Sequence, residues 1–122
     1  MGVIGGFPIL ATANLPRLEA FYRSALDAER TFAFPDGRGG TDYVSLDFDG
    51  AKLGIGRADV VPPEAAPISL WFYVDDLDEA YRRVLAAGGS SVAPPRLTPW
   101  GERVAEVHDP DGFLLYLATP PD

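Results

Sequence analysis

The chain repeats itself with a period of 62 residues, and this duplication restricts its possible folds more than any other feature. A helical run opens at Leu15 after a short apolar stretch, and a second opens at Leu77 after another. In the first half, Phe7 to Ala11 reads as a strand. Asn14 is placed to cap a helix whose Leu15, Leu18, Tyr22, Ala25 and Leu26 share one face. Strands are predicted at Thr31 to Phe34, Tyr43 to Phe48 and Ala51 to Gly56. The last two flank Asp49-Gly50, a two-residue hairpin turn. A glycine-rich loop, Asp36 to Gly40, precedes them.

The second half repeats the order. Ile68 to Val74 reads as a strand, and Asp76-Leu77-Asp78-Glu79 places a capping aspartate three residues before a glutamate. Leu77, Ala80, Tyr81, Val84 and Leu85 form the buried stripe, and Gly88-Gly89 stops the helix. Ser91 to Ala93 is expected as a short edge strand halted by Pro94-Pro95. Strands at Glu102 to His108 and Phe113 to Thr119 are joined by the turn Asp109-Pro110-Asp111-Gly112. Each half is βαβββ, so the fold class is α+β. Two tandem modules, 7–57 and 67–119, are joined by a Pro- and Ala-rich connector over 58–66 in a single domain of 122 residues. Side by side they form a curved, eight-stranded mixed sheet with helices on one face. Its bare concave face calls for a ligand, a partner subunit or its own side chains to fill it.

Composition removes several functions. A formal charge of −8 argues against nucleic acid, whose phosphates need a basic footprint, and suits a cationic partner while also serving solubility. No apolar run approaches the ~20 residues of a membrane helix, and the first residues lack the basic and apolar pattern of a signal peptide. The absence of cysteine excludes thiolate chemistry and disulfides and fits a cytoplasmic location.

The stretch Leu70 to Leu85, then Pro99-Trp100-Gly101, then Asp109-Pro110-Asp111-Gly112, resembles the vicinal oxygen chelate superfamily. That superfamily holds glyoxalase I, extradiol dioxygenases, fosfomycin-resistance enzymes and bleomycin-resistance proteins. The resemblance runs from Phe7 to Ala118 and is nearest to the bleomycin-resistance type, which shares a proline in the first strand, here Pro8, and the Pro-Trp-Gly. Its enzymes hold a divalent metal with His or Glu on the first, fourth, fifth and eighth strands. By the resemblance those positions fall on Phe7, on Gly54 or Gly56, on Ser69 and on Tyr116. None supplies a metal donor of the expected kind, so no metal and no cofactor are expected. His108, the only histidine, reads as a turn residue.

Strand alternation carried from those positions puts Phe7, Ile9 and Ala11 on the concave face, with Ser69, Trp71 and Tyr73. Tyr116 brings Leu114 and Ala118 with it, and Tyr43, Ser45 and Asp47 join from the third strand. Gly54 and Gly56 leave a bare floor with room for a large molecule. The expected ligand-binding set is Phe7, Ile9, Phe34, Tyr43, Ser45, Asp47, Ser69, Trp71, Tyr73, Trp100 and Tyr116. Aromatic walls suit planar conjugated ligands, while some of these rings belong to a dimer interface. The resemblance implies a homodimer with two clefts at its interface, and Pro8 marks a strand at an edge or exchanged between subunits. The expected function is sequestration of an aromatic or cationic natural-product antibiotic, a small-molecule partner. The alternative is a lyase, isomerase or dioxygenase-like enzyme of the same superfamily.

Overall fold

The structure is a computed structural model describing residues 2, 7–58, 69–99 and 101–119. Ten elements follow in βαβββ order twice. They are β1 (Ile9–Thr12), α1 (Leu15–Leu26), β2 (Glu29–Pro35), β3 (Thr41–Phe48), β4 (Ala51–Arg57), β5 (Leu70–Tyr73), α2 (Leu77–Ala86), β6 (Ser90–Leu97), β7 (Arg103–His108) and β8 (Leu114–Ala118). Hydrogen bonding divides the strands into two four-stranded sheets, β1-β4-β3-β2 and β5-β8-β7-β6. In each, the first and last strands of the module run parallel and the other neighbours antiparallel. The expected eight strands are therefore present as two ladders, whose edges include β1 and β5.

Local chemistry starts and stops the helices. The Asn14 side chain accepts from Arg17 N at 3.2 Å at the head of α1, and Asp76 accepts from Glu79 N at 3.2 Å at the head of α2. α1 ends on Asp27 in the left-handed region, and Gly88 (φ 104°) turns the chain out of α2. The β3–β4 hairpin closes through Asp49 (φ 62°) and Gly50 (φ 108°), both with the positive φ that a type I′ turn requires.

β6 corrects one expectation. It runs on through Pro94 and Pro95 to Leu97 instead of stopping at Ala93. Its pairing with β7 is irregular between Ser91 and Ala93 and again between Ala93 and Arg96, the second irregularity spanning the two prolines. A strand at a sheet edge tolerates proline, because an N–H facing solvent has no ladder partner to lose.

One hydrophobic core spans both modules. Leu18 and Tyr22 of α1, Val44, Leu46 and Ile55 of the first sheet, Val84 of α2, and Val107, Leu115 and Leu117 of the second are fully buried. Each such side chain contributes about 1.5–3 kcal/mol. Each helix covers one face of its own sheet, and the helices pack on each other. Phe48 and Phe72 meet across the modules, with ring centroids 5.1 Å apart. Arg83 of α2 holds Asp27 at the end of α1 through two bonds of 2.8 and 3.1 Å. Tyr22 reaches from α1 to Asp109 in the β7–β8 turn, and Arg17 pairs with Asp111 there. Among the described residues, no helix is long and apolar enough to cross a membrane.

Candidate functional site

With the helices on one face of each sheet, the opposite faces are bare. Register identifies what they carry. In the first sheet Ile9 pairs with Gly54, Gly54 with Ser45, and Ser45 with Phe32. The next row holds Ala11, Gly56, Tyr43 and Phe34. Phe7, Ile9, Phe32 and Phe34 of this face are 51–59% exposed, far more than core rings would be. Phe32 was missing from the predicted set, although it alternates with Phe34. Its ring lies 6.4 Å from that of Tyr43.

The second sheet presents Trp71, Tyr116 and Glu106 in one row, and Tyr73, Ala118, Val104 and Arg96 in the next. Trp71 stacks on Tyr116 with centroids 5.1 Å apart and planes inclined by 25°. Tyr73 meets Trp71 edge-on at 6.1 Å. Trp71 and Tyr73 remain 42% and 53% exposed. Ala118, expected on this face, is fully buried, whereas Leu114 is half-buried. The Tyr73 hydroxyl is bonded to Glu102, and that hydrogen bond, followed by burial, holds the phenol above its usual range. Glu106 accepts from Arg96 Nη2 at 2.8 Å. Ser69 lies exposed just before β5. Trp100 falls outside the described residues.

The expected rings thus gather on two platforms, one per module. Tyr43 and Phe34 belong to the first and Trp71, Tyr73 and Tyr116 to the second. The floor is less open than Gly54 suggested. A Cβ at Gly54 would stand 2.5 Å from Tyr43 Oη and 3.1 Å from Ile9 Cγ1, so the Tyr43 ring already lies across this glycine. Asp47 sits at the far end of the face. Its carboxylate is bonded to Lys52 Nζ at 3.1 Å and Gly50 N at 3.2 Å, with Lys52 the main cause of its lowered pKa. Ser45 donates to Tyr43 Oη at 3.2 Å. Where the modules meet, a groove of about 600 Å³ is lined by Asp27, Phe48, Trp71, Phe72, Tyr73 and Arg83, among others.

A family model described as the glyoxalase/bleomycin resistance protein/dioxygenase superfamily matches residues 6–117. The chain belongs to this superfamily. Several solved structures are similar to it in fold. A glyoxalase-related enzyme from Fulvimarina pelagi is 20% identical, with a TM-score of 0.79 over 98% of this chain and 90% of its own. TioX from Micromonospora sp. ML1 is 24% identical, with a TM-score of 0.73 over 94% and 98%. The fosfomycin resistance protein FosX from Listeria monocytogenes was solved as a mutant with manganese(II) and a dihydroxypropylphosphonic acid. It is 20% identical, with a TM-score of 0.78 over 98% and 93%. A search of curated proteins finds no match to this chain.

The metal positions implied by the superfamily can be checked against the register. Ile9 pairs with Gly54 as Trp71 pairs with Tyr116, so the duplication superposes Gly54, not Gly56, on Tyr116. The implied donors are then a phenyl ring (Phe7), a glycine (Gly54), a serine (Ser69) and a phenol (Tyr116). These do not fit a resident divalent ion, which needs carboxylates or imidazoles. Among the described residues, no group of three or more His, Asp or Glu is arranged to hold one elsewhere. His108 closes β7, and its neighbour Asp109 is engaged by Tyr22.

Proposed function

We propose that this member of the glyoxalase/bleomycin resistance superfamily is a metal-free binding protein that sequesters a planar aromatic or cationic natural product, such as an antibiotic, without altering it. The observation that carries this reading is the coincidence of aromatic platforms with donor-poor ligand positions on the same faces. Trp71, Tyr73 and Tyr116 offer ring faces, and Ser45, Ser69 and the tyrosine hydroxyls offer a few polar contacts, the composition of a small-molecule pocket. A conjugated ligand gains roughly 0.5–1.5 kcal/mol per aromatic pair beyond the area it buries.

In this reading the working unit is a homodimer. A platform from one subunit faces a platform of its partner, which covers two apolar faces and encloses the ligand. Pro8, immediately before the edge strand β1, is compatible with exchange of that strand. The name of the FosX neighbour states fosfomycin resistance, and its structure contains manganese. The donor set here supports no comparable metal chemistry, so binding alone accounts better for these residues.

Isothermal titration of the purified protein against bleomycin-, anthraquinone-, enediyne- and mitomycin-type compounds tests the reading, with metal analysis of the same sample. Micromolar binding of at least one without a tightly held metal is expected. Stoichiometric metal, together with activity that depends on it, would favour the enzyme alternative and overturn this one. Trp71→Ala is expected to weaken binding by about 2 kcal/mol while leaving thermal unfolding cooperative. Trp100→Ala is expected to do the same. Ligand quenching of fluorescence reads both, since the chain has only two tryptophans.

A further inference from the structure

The duplication makes the two platforms comparable position by position, and they differ in charge. The row Ile9, Gly54, Ser45, Phe32 in the first sheet corresponds to Trp71, Tyr116, Glu106, Ala93 in the second. The first row is uncharged. The second places a carboxylate directly opposite a ring that stacks on tryptophan. A second carboxylate, Glu102, is bonded to Tyr73 on the same platform.

The cations lean the other way. Nine of the ten Lys and Arg residues have a carboxylate partner within 4.0 Å. Arg96, which shares the face with Tyr73, is one of them. An anionic ligand on this platform would meet two carboxylates and would have to take Arg96 from Glu106. A planar cation meets negative ring faces and a carboxylate at their edge, the arrangement in which cation–π and charge-assisted contacts act together.

The Glu106 side chain is 20% exposed and that of Arg96 47% exposed. Arg96 stands on the edge strand β6 and can swing into solvent without disturbing the ladder. Glu106 stands on the inner strand β7, with its backbone fixed on both sides.

We propose that Glu106 selects the charge of the ligand. It pairs with a protonated amine or amidinium on a planar ring lying over Trp71 and Tyr116, and Arg96 holds its carboxylate until that cation displaces it. The proposal rests on the aromatic-platform reading above and adds a charge class and a residue for it.

Three matched probes test it by calorimetry at neutral pH: 9-aminoacridine (cationic), acridine (neutral) and acridine-9-carboxylate (anionic). Wild-type protein is expected to bind 9-aminoacridine about tenfold more tightly than acridine, and acridine-9-carboxylate least well. Glu106→Gln is expected to abolish the preference for the cation while leaving acridine within about twofold. Arg96→Ala is expected to strengthen 9-aminoacridine binding by about threefold, because the internal competitor is gone. A merely structural ion pair would make both variants change binding in the same direction for every probe, and that result overturns the proposal. Equal binding of all three probes to wild type leaves the platform standing and overturns charge selection alone. Binding of none overturns the platform reading and the proposal with it.

Discussion

Tyr22 is fully buried on α1, yet its hydroxyl donates to Asp109 Oδ2 at 2.7 Å in the other module. The second oxygen of Asp109 accepts from Asp111 N at 2.9 Å and Phe113 N at 3.0 Å, so both oxygens are engaged. Burial, followed by the charge of Asp109, pushes the Tyr22 phenol well above its ordinary range and keeps it a donor at neutral pH. Tyr22→Phe leaves Oδ2 without its donor in a buried place. It is expected to cost about 1–3 kcal/mol in urea unfolding at neutral pH. Burial also raises the Asp109 carboxyl, against the pull of its hydrogen bonds. A carboxyl raised in the folded state binds its proton more tightly there than in the unfolded chain. Its contribution to stability therefore grows as pH falls through the folded value towards the unfolded value of about 3.9. The stability of wild type relative to Asp109→Asn is expected to rise over that interval, which urea titrations at stepped pH will read. Gly54 shows where reading residues singly falls short. A glycine in a strand reads as open space, but the ring of Tyr43, whose direct partner is Gly56, leans diagonally across it. Gly54→Ala is expected to destabilise by about 1–3 kcal/mol, with much of the loss recovered when Tyr43→Ala is added.

The helices and most strands were legible because their signals are local. Caps at Asn14 and Asp76 lie within three residues of the groups they bind, and apolar periodicity needs only the segment itself. β6 was misjudged because proline is forbidden in a central strand and tolerated at an edge, and edge position belongs to the sheet. The contact between α1 and α2 depends on the clasp in which Arg83 binds Asp27 and the Ser24 carbonyl, the latter at 2.7 Å. Hydrogen bonding by Arg83, then its charge, lowers the Asp27 carboxyl below its ordinary value. The contribution of this exposed pair is full above the unfolded carboxylate range and fades as pH falls through the folded value. Arg83→Ala is expected to speed amide exchange in the last turn of α1 and leave the start of α1 unchanged. Uniform acceleration along the helix would show that the clasp does not hold this end.

For the molecule as a whole, the uncovered area is the central fact. Each sheet has a core face under a helix and a bare face with exposed rings, and a duplicated chain has two such faces. The proposed homodimer covers both. Phe34→Asp is expected to shift sedimentation equilibrium from dimer to monomer, because the charge would have to be desolvated against apolar rings in the interface. A wild-type chain that sediments as a monomer at every concentration overturns the dimer and moves the ligand to a single open platform.

Duplication, element order and the alternation along each strand are properties of the chain read in a line, because a period of 62 residues, a cap and an alternation of two are visible without partners. So are the residue types, Phe, Gly, Ser and Tyr, at the four positions that the family resemblance implies for a metal. Folding alone brings Tyr22 to Asp109 across 87 residues, sets Glu106 opposite Tyr116, and divides the rings between two platforms. Those meetings depend on register and on how the helices pack. A shift of one residue in a ladder would turn Glu106 and the strand-borne rings to the other face.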